Sequence, residues 1–389
     1  METMTQKIDL KNLDKSGWQT FRFEEIASKI SETVDPNSTT LETYVGLEHL
    51  DAEDIHIRRK GTPDDVSGGK LKCYPGDVIF GKRRAYQRKA AIVDFEGICS
   101  AHAFVFRANS EVIDPQLFPF FLHSDQFMHR MVDISVGGLS PTINWGDLKH
   151  QEFLLPPKDQ QAQLAELLWA MDEVVEASQE IKVKCEILIK SYSYQFFESR
   201  NERKVPFETT GDWKSGGTPS KKNNGYWSGD IPWVSPKDMK SEYIEDSIDK
   251  ITLEGANSGS KIIPPNSILI VVRGMILLHS FPVAITGKNV AFNQDMKALL
   301  PSTDFLPKTL FYFLKKKSSE ILSLSSESSH GTKSIPSEVL FGMQIPLIPK
   351  EDQIVFVKKI EVIEASITDA IGRLETSRAL QKSLINQIF

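Results

Sequence analysis

Residues 153–197 read FLLPPKDQQAQLAELLWAMDEVVEASQEIKVKCEILIKSYSYQFF, and residues 345–389 read IPLIPKEDQIVFVKKIEVIEASITDAIGRLETSRALQKSLINQIF. Aligned without gaps at a shift of 192 positions, the two stretches share nine identical residues out of 45. That is about three times the number expected by chance from average residue usage. A repeat of this length indicates two equivalent structural units, each doing the same job on a different target.

Both copies have the hydrophobic spacing of a long α-helix, with apolar side chains at alternating intervals of four and three residues. A narrow apolar stripe kept over about five heptads requires one long partner. We therefore predict helices over residues 156–198 and 349–389 that pack against each other. The alternative is two amphipathic core helices of one globular domain. The predicted helix interface consists of Leu164, Leu168, Met171, Val175, Phe356, Ile360, Ile363 and Ile367.

The segments before the two helices, residues 1–155 and 199–348, repeat each other more loosely. In each half, short β-rich runs bounded by Pro, Gly and Asn are followed by one helical stretch, which in the first half is Leu117 to Val132. We predict two α+β domains, each with a curved, largely antiparallel sheet. The sequence matches are Tyr44-Val45 with Trp233-Val234, Arg83 with Arg273, Ile98 to His102 with Val290 to Gln294, and Ile143 with Ile335.

Composition excludes several classes of protein. The chain has 389 residues, 40% hydrophobic and 25% charged, which is typical of globular domains. We find no apolar run long enough for a membrane span and no signal-peptide pattern, so we expect a cytoplasmic protein without a membrane partner. The three cysteines, Cys73, Cys99 and Cys185, lack metal-ligand spacing, which argues against a zinc site or a disulfide framework.

The net charge of −6 argues mildly against a nucleic-acid partner, but the basic residues are clustered. Local clusters, more than the total charge, determine the field that a phosphate backbone meets. Some of these side chains are expected to be ordinary solvated surface residues. The clusters are Lys82-Arg83-Arg84 with Arg88-Lys89, Lys221-Lys222, and Lys315-Lys316-Lys317.

The run Gly216-Gly217-Thr218-Pro219-Ser220, followed by Tyr226-Trp227 and Ile231-Pro232-Trp233-Val234, resembles the signature that opens many recognition domains of type I restriction-modification specificity subunits. The two helix entries, Leu-Pro-Pro-Lys and Ile-Pro-Lys-Glu-Asp-Gln, resemble the helix starts of the same family. The order of domains and helices is similar over the full chain. Residues 1–155 lack the Gly-Gly-Thr-Pro signature, so the residue-level resemblance is weaker there.

This resemblance implies that each domain docks in the DNA major groove and reads one half of a split target, while the two helices pack as an antiparallel coiled coil that sets the spacing. Arginine suits guanine, and asparagine or glutamine suits adenine. For Arg83 and Arg273, an intradomain ion pair or a free surface position is equally open. The candidates for base contact are Arg83, Arg84, Arg273, Asn293 and Gln294. The candidates for phosphate contact are Lys221, Lys222, Lys237 and Lys333, with Lys82 and Arg88 as further DNA-binding candidates. Trp227 and Trp233 are expected to anchor loops or fill the core.

No phosphate-binding glycine loop and no methyltransferase tetrapeptide occurs in the sequence. We therefore expect no catalytic step and no cofactor on this chain. The resemblance implies partners that supply the chemistry: double-stranded DNA, methyltransferase subunits with S-adenosylmethionine, and a restriction subunit with ATP and Mg²⁺. A coiled-coil scaffold with two ligand-binding domains not specific for DNA, and an enzyme with an unrecognised active site, remain as alternatives.

Overall fold

The computed structural model describes residues 13–327 and 332–389. Contacts divide the chain into two compact units. Unit 1 comprises Met1–Glu180 and Ala370–Phe389, and unit 2 comprises Ile181–Asp369. The two long helices extend over Lys158–Glu198 and Lys350–Ile388, so each helix contributes residues to both units.

Among the residues described, unit 1 contains ten short strands and four short α-helices, followed by the first long helix. In chain order they are β1 (Gln19–Arg22), α1 (Phe23–Ile26), β2 (Ala27–Ile30), β3 (Thr33–Val34), β4 (Tyr44–Val45), β5 (Lys70–Cys73), β6 (Val78–Gly81), β7 (Ala90–Ile92), β8 (Gly97–Cys99), β9 (Ala103–Ala108), α2 (Phe118–His123), α3 (Asp125–Asp133), α4 (Trp145–Leu148), β10 (Glu152–Leu155) and α5 (Lys158–Glu198).

The described strands of unit 1 form one pair, β1–β10, and two four-stranded sheets in the orders β2-β9-β6-β7 and β3-β5-β8-β4. Of these pairings, β4 with β8 is parallel and the others are antiparallel. Strand β6 is buried at all four positions, as its uninterrupted apolar run requires for a central strand. The core cluster that includes Val78 and Phe80 of this strand contains many aromatic rings. The centroid of the Phe23 ring lies 5.0 Å from that of Phe106 and 5.5 Å from that of Phe127.

Unit 2 repeats this skeleton. Its elements in chain order are β11 (Lys204–Pro206), β12 (Gly211–Ser215), β13 (Ile231–Val234), β14 (Tyr243–Ile244), β15 (Asp249–Ile251), α6 (Leu253–Gly259), β16 (Ile262–Ile263), β17 (Ile268–Val271), β18 (Val283–Thr286), β19 (Val290–Phe292), β20 (Met296–Pro301), α7 (Pro307–Ser323), β21 (Ser326–Glu327), β22 (Lys333–Ser334), α8 (Ser337–Gly342), β23 (Gln344–Pro346) and α9 (Lys350–Ile388).

The described strands of unit 2 form the pairs β11–β23 and β21–β22 and two larger sheets in the orders β12-β20-β17-β18-β14 and β15-β13-β19-β16. Two of the pairings, β13–β19 and β14–β18, are parallel, and the rest are antiparallel. The predicted α+β class with largely antiparallel sheets is therefore confirmed for both units.

The single helical stretch predicted for the first half is wrong in one detail. In unit 1 the helix is interrupted at Ser124, whose extended backbone (ψ 148°) separates α2 from α3. The Ser124 hydroxyl accepts a hydrogen bond from the amide of Phe127 at 3.2 Å, which caps the new helix. In unit 2 the equivalent helix, α7, runs without a break over Pro307–Ser323.

The strand register corrects the predicted match of Ile98–His102 with Val290–Gln294 by one residue. Tyr44 pairs with Ile98 in unit 1, and its counterpart Trp233 pairs with Ala291 in unit 2. The amides that follow the strands confirm this shift, since Ser100 donates to Val45 and Asn293 donates to Val234, each at 3.0 Å. The structural counterpart of Ser100 is therefore Asn293, and that of His102 is Asp295.

Inside each unit the two long helices run antiparallel, as predicted. In unit 1 the start of α5 meets the end of α9, where Leu164 and Leu168 share a core cluster with Leu384 and Ile388. In unit 2 the end of α5 meets the start of α9, where the rings of Phe196 and Phe356 stack with centroids 4.1 Å apart. The division of the chain at residues 155, 198 and 348 remains a prediction.

Candidate nucleic-acid interface

Arg83 and Arg273 occupy the same place in the two units. Each follows a buried central strand, β6 or β17, and each forms an antiparallel backbone bridge, Arg83 with Thr142 and Arg273 with Ser334. A 3₁₀ turn follows the arginine in each unit, over residues 85–87 and 275–278. This shared geometry confirms the predicted equivalence of the two arginines.

The residue before each arginine is fixed in the same way. The carbonyl of Lys82 accepts a hydrogen bond from Ile143 at 2.9 Å, and the carbonyl of Val272 accepts one from Ile335 at 2.8 Å. Backbone hydrogen bonds on both sides hold the start of each arginine-bearing loop on the sheet edge. The residue at this bonded position differs between the two units, Lys82 in unit 1 and Val272 in unit 2.

Lys82, Arg83 and Arg84 form no ion pair with any carboxylate in the part of the chain that the structure describes. The Arg83 guanidinium is half-buried and donates to the hydroxyl of Ser140 at 3.2 Å. The Lys82 ammonium lies 5.2 Å from the centroid of the Phe104 ring. Partial burial lowers the pKa of Lys82, and the nearby Lys29 lowers it further. Arg84 is exposed and has a left-handed backbone (φ 55°).

Arg88 differs from its neighbours because its guanidinium is already engaged. It lies 2.9 Å from Glu53 and 2.8 Å from Asp125, and it donates to the carbonyl of His123 at 2.9 Å. Its side chain is 17% exposed. These contacts tie the loop to α2 and α3, so Arg88 has less freedom to bind DNA than the other candidates. Its role in DNA binding remains a prediction.

The signature loop of unit 2 lies directly against the loop after β19. A Cβ atom on Gly216 would lie 2.1 Å from the carbonyl oxygen of Asn293, so only glycine fits there. Gly217 donates from its amide to Phe292 at 2.9 Å, and its carbonyl accepts from the indole of Trp233 at 2.9 Å. Thr218 donates its hydroxyl proton to the side chain of Gln294.

Asn293 and Gln294 therefore have different accessibility. Asn293 is 6% exposed, and its side chain folds back on Asp295, with which it forms two hydrogen bonds of 3.1 and 3.2 Å. Gln294 is exposed at the surface. Of the two predicted adenine-reading amides, Gln294 alone presents its side chain to solvent in this arrangement.

The tryptophans of the signature region anchor loops, as predicted. Trp233 is 5% exposed, and its ring packs edge-to-face on Trp227 with centroids 5.1 Å apart. The indole of Trp227 donates to the carbonyl of Ser220 at 3.2 Å. The ammonium of Lys221 lies 5.9 Å from the Trp227 ring, so the aromatic pair supports the base of the predicted phosphate-binding loop.

The remaining candidates in unit 2 lie at the surface without carboxylate partners among the residues described: Lys221, Lys222, Lys237 and Arg273 are exposed, and Lys333 is half-buried in β22. The backbone of Lys333 accepts a hydrogen bond from Gly274 at 3.0 Å, which brings it beside Arg273. The basic run at 315–317 behaves differently. Each of its lysines pairs with a glutamate: Lys315 with Glu242, Lys316 with Glu198 and Lys317 with Glu320.

The predicted helix-interface residues are buried to different degrees. Leu164, Leu168, Phe356 and Ile360 are fully buried, and Val175 is 4% exposed. Leu164 and Leu168, like Phe356 and Ile360, share a core cluster with residues of the other helix and of the domain of their own unit. For example, Phe356 lies near Tyr312 as well as Phe196. Met171 packs at the edge of its cluster, whereas Ile363 and Ile367 are half-buried at the edges of grooves.

Three basic residues of unit 1 join Lys82 and Arg83 although the sequence did not indicate them: Lys29, Lys70 and His102. Lys29 and Lys82 lie over neighbouring rings, Trp145 and Phe104, whose centroids are 6.3 Å apart. Lys29 and Lys70 lie in β2 and β5, and His102 lies in the turn between β8 and β9. Because these elements are far apart in sequence, only the strand register places the three residues close together.

Metal-binding and membrane-spanning features are absent from the part of the chain that the structure describes. It contains no group of three or more His, Cys, Asp or Glu side chains placed to hold a metal ion. No helix within 13–327 or 332–389 combines the length and the apolar composition needed to cross a membrane.

Comparison with known proteins gives a family match. The model of the family described as type I restriction modification DNA specificity domain matches this chain twice, over residues 15–186 and 207–375. The EcoR124I/EcoR124II specificity subunit of Escherichia coli is 34% identical over 227 residues, which cover 56% of this chain and 56% of that protein. This chain thus spans about half the length of that relative in the alignment.

A second relative aligns over nearly its whole length. The HindI specificity subunit of Haemophilus influenzae is 20% identical over 442 aligned residues, covering 92% of this chain and 95% of that protein. Two solved structures share the fold. One, from work on complex assembly and conformational transition of the type I R-M system, has a TM-score of 0.58 at 21% identity and covers 96% of this chain and 97% of its own. The other, the S subunit from M. genitalium, has a TM-score of 0.57 at 13% identity, covering 97% and 98%.

Proposed function

We propose a function on the following premise: the chain belongs to the type I restriction-modification DNA specificity family, whose model matches residues 15–186 and 207–375. The protein is a sequence-specific DNA-binding subunit that reads a target in two halves. It acts in the cytoplasm by directing methyltransferase and restriction subunits to that target. S-adenosylmethionine, ATP and Mg²⁺ are bound by those partners, and this chain carries out no catalytic step.

One observation carries the proposal: the family match is double, and each match contains one sheet-rich domain with an arginine at the same place. Arg83 and Arg273 are bridged to Thr142 and Ser334 in the same manner. Two equivalent positions on two domains with different surrounding side chains are what a reader of two different half-sites needs. A scaffold that does not bind DNA would have no reason to keep cations without carboxylate partners at both places.

The division of the cations supports the same function. In unit 2, the lysines at 315–317 each have a glutamate partner, whereas Lys221, Lys222 and Lys237 have none among the described residues. Ion-paired lysines add little net field, while lysines without partners attract the phosphate backbone. We assign phosphate contacts to the second group and base contacts to Arg84, Arg273 and Gln294. Arg83 has the chemistry for either kind of contact.

The long helices are proposed to set the spacing between half-sites. Each of them contributes residues to both units, and in each unit it is packed against the domain through buried apolar side chains such as Leu168 and Phe356. A continuous helix is stiff compared with a loop, so a change in its length should be transmitted to the spacing of the target.

Selection from a random duplex library tests the function. The full-length chain, alone and mixed with a candidate methyltransferase subunit, is expected to retain duplexes with two short fixed sequences separated by an unspecified spacer of fixed length. A matched pair of variants serves as control: Lys222→Ala should lower affinity for all sequences, whereas Lys317→Ala, which removes a lysine paired with Glu320, should not. Recovery of no sequence, or of one uninterrupted motif, would contradict the proposal.

A further inference from the structure

One end of the sheet β2-β9-β6-β7 in unit 1 collects positive charge. Gly81 of β6 pairs with Ala103 of β9, so the next residues along the two antiparallel strands, Lys82 and His102, lie side by side. Lys70 is the first residue of β5. The next residue, Leu71, pairs with Cys99, which lies three residues before His102. The register of two sheets thus brings together residues that are far apart in sequence.

His102 lies at the centre of this group. Its ring is exposed, and its backbone amide is fixed by a hydrogen bond of 3.2 Å to the hydroxyl of Ser100. Partial desolvation lowers the pKa of the His102 ring, and three cations lower it further. They are, in order of effect, Arg83, Lys82 and Lys70. The charges with the largest effect on the ring are thus all positive.

The cations around His102 form no ion pair within the described part of the chain, unlike other cations of the same unit. Arg58, Lys60 and Lys72 all lie within 4 Å of a carboxylate. Like charges held together without counter-charges repel one another, and an external anion relieves that repulsion. In a DNA-binding domain the anion at hand is a backbone phosphate.

We propose that His102 is a DNA-contacting residue of unit 1, and that a phosphate of the first half-site lies between His102, Lys82 and Arg83. The inference rests on the DNA-binding function proposed above. It adds to that function a specific contact and a consequence: the negative phosphate favours the protonated ring, so DNA binding at this half-site takes up a proton.

The second half-site lacks this contact. The structural counterpart of His102 in unit 2 is Asp295. Its carboxylate accepts a hydrogen bond from the side-chain amide of Asn293 at 3.2 Å. A carboxylate at this place repels a phosphate. Proton uptake is therefore specific to the half-site that unit 1 reads.

The direction of the pH dependence follows from these charges. In the free chain, desolvation and the surrounding cations lower the pKa of His102, so the ring stays neutral down to a lower pH than an ordinary histidine. In the complex the phosphate raises the pKa of the ring, so affinity increases as the pH falls through the interval between the two values. The gain is about tenfold for each unit by which the pKa rises on binding.

The test measures affinity against pH. A duplex selected by the wild-type full-length chain is titrated at constant salt from about pH 8.5 to about pH 6, a range that brackets the ordinary histidine pKa. The wild type is expected to gain about three- to tenfold in affinity more than His102→Gln over this range. His129→Gln is the matched control, since His129 is exposed on α3 and is not among the groups acting on His102.

The readouts separate the two levels of the proposal. A scrambled first half-site should remove the pH-dependent gain, and a scrambled second half-site should leave it. If wild type and His102→Gln bind the selected duplex with the same pH dependence, the inference about His102 is wrong while the proposed function stands. If the wild type selects no duplex at any pH, the proposed function itself fails.

Discussion

Gln161 and Gln353, which lie 192 residues apart, make the same three hydrogen bonds. Each is fully buried near the start of a long helix. The Gln161 side chain accepts from the amide of Asp114 at 2.6 Å and donates to the carbonyls of Val112 and Pro156 at 3.0 and 2.9 Å.

The bonds of Gln353 involve residues shifted by the same 192 positions. Its side chain accepts from the amide of Leu306 at 2.8 Å and donates to the carbonyls of Asp304 and Ile348 at 2.7 and 2.8 Å. Each glutamine thus joins the first turn of a long helix to the loop that precedes a domain helix, α2 or α7. The glutamine therefore has the same structural role in both copies of the repeat.

Replacing Gln353 with Ala should destabilise unit 2 by about 2–4 kcal/mol, because three buried backbone groups lose their partner. Urea denaturation of the full-length chain measures the effect. Gln387→Ala is the control, since Gln387 is also repeated in sequence, as Gln195, but is exposed. Equal destabilisation by both variants would argue against a structural role of the buried amide.

The contact between His56 and Asp172 predicts a pH-dependent stability for unit 1. The two side chains lie 2.7 Å apart, and the hydrogen bond to Asp172 raises the pKa of His56 against the opposing effect of burial. A raised pKa means that the stabilisation is complete below the unfolded-state value of about 6.5 and disappears as the pH rises through the folded-state value.

We expect the wild type to lose at most about 1 kcal/mol more stability than His56→Gln between about pH 6 and about pH 8.5, because solvent screens the partly exposed ring. The counterpart of Asp172 in unit 2 is Glu364, which contacts Lys308 at 2.6 Å and Tyr312 at 2.7 Å. Neither of these two partners of Glu364 is a histidine. The measurement is the denaturation midpoint of each protein at the two pH values. If the midpoint of His56→Gln falls between these pH values as much as that of the wild type, the prediction is wrong.

Gly216→Ala should impair the signature loop of unit 2. The new Cβ atom would lie 2.1 Å from the carbonyl oxygen of Asn293, and moving the loop to relieve this contact costs about 1–3 kcal/mol. Binding to the second half-site should weaken while the first is still read. Gly342→Ala is a suitable control because no atom lies within 4 Å of its added Cβ. Duplexes with one half-site scrambled provide the measurement.

Arg83→Ala and Arg273→Ala should each affect one half of the target. Loss of a base contact should cost about 1–3 kcal/mol and relax the preference at one position. Loss of a phosphate contact should lower affinity for all sequences and reduce the salt dependence. Repeating the library selection with each variant distinguishes these outcomes. Equal damage to both halves by either variant would show that the domains do not read the target independently.

Inserting four residues between Ser178 and Gln179 should lengthen the target spacer. The insertion adds roughly 6 Å to α5, about one helical turn, and nearly restores the phase of the apolar stripe. Base pairs stack roughly 3.4 Å apart, so the preferred spacer should grow by about one or two pairs while both half-sequences stay the same. Methylation sequencing of cells that carry the insertion gives the answer. An active variant with an unchanged spacer would refute the role of the helices in spacing.

The sequence by itself determined the repeat, the two long helices and the α+β class. These are local or periodic properties: an apolar side chain every three or four residues specifies a helix with one buried face, and the 192-residue shift applies to Gln161 and Gln353 without reference to a structure. The equivalence of Arg83 and Arg273 was likewise visible, because each follows a short apolar run that ends a buried strand.

The tertiary structure alone decided which charged residues are available to DNA. Arg88 and Arg83 belong to one basic cluster in sequence, yet Arg88 is held by Glu53 and Asp125, whereas Arg83 has no carboxylate partner among the described residues. Ion pairing depends on side chains brought together from distant elements, which no local pattern reports. The strand register also depends on contacts between elements that are distant in sequence. A shift of one residue made Asp295, and not Gln294, the counterpart of His102, because backbone pairing between strands fixes such positions.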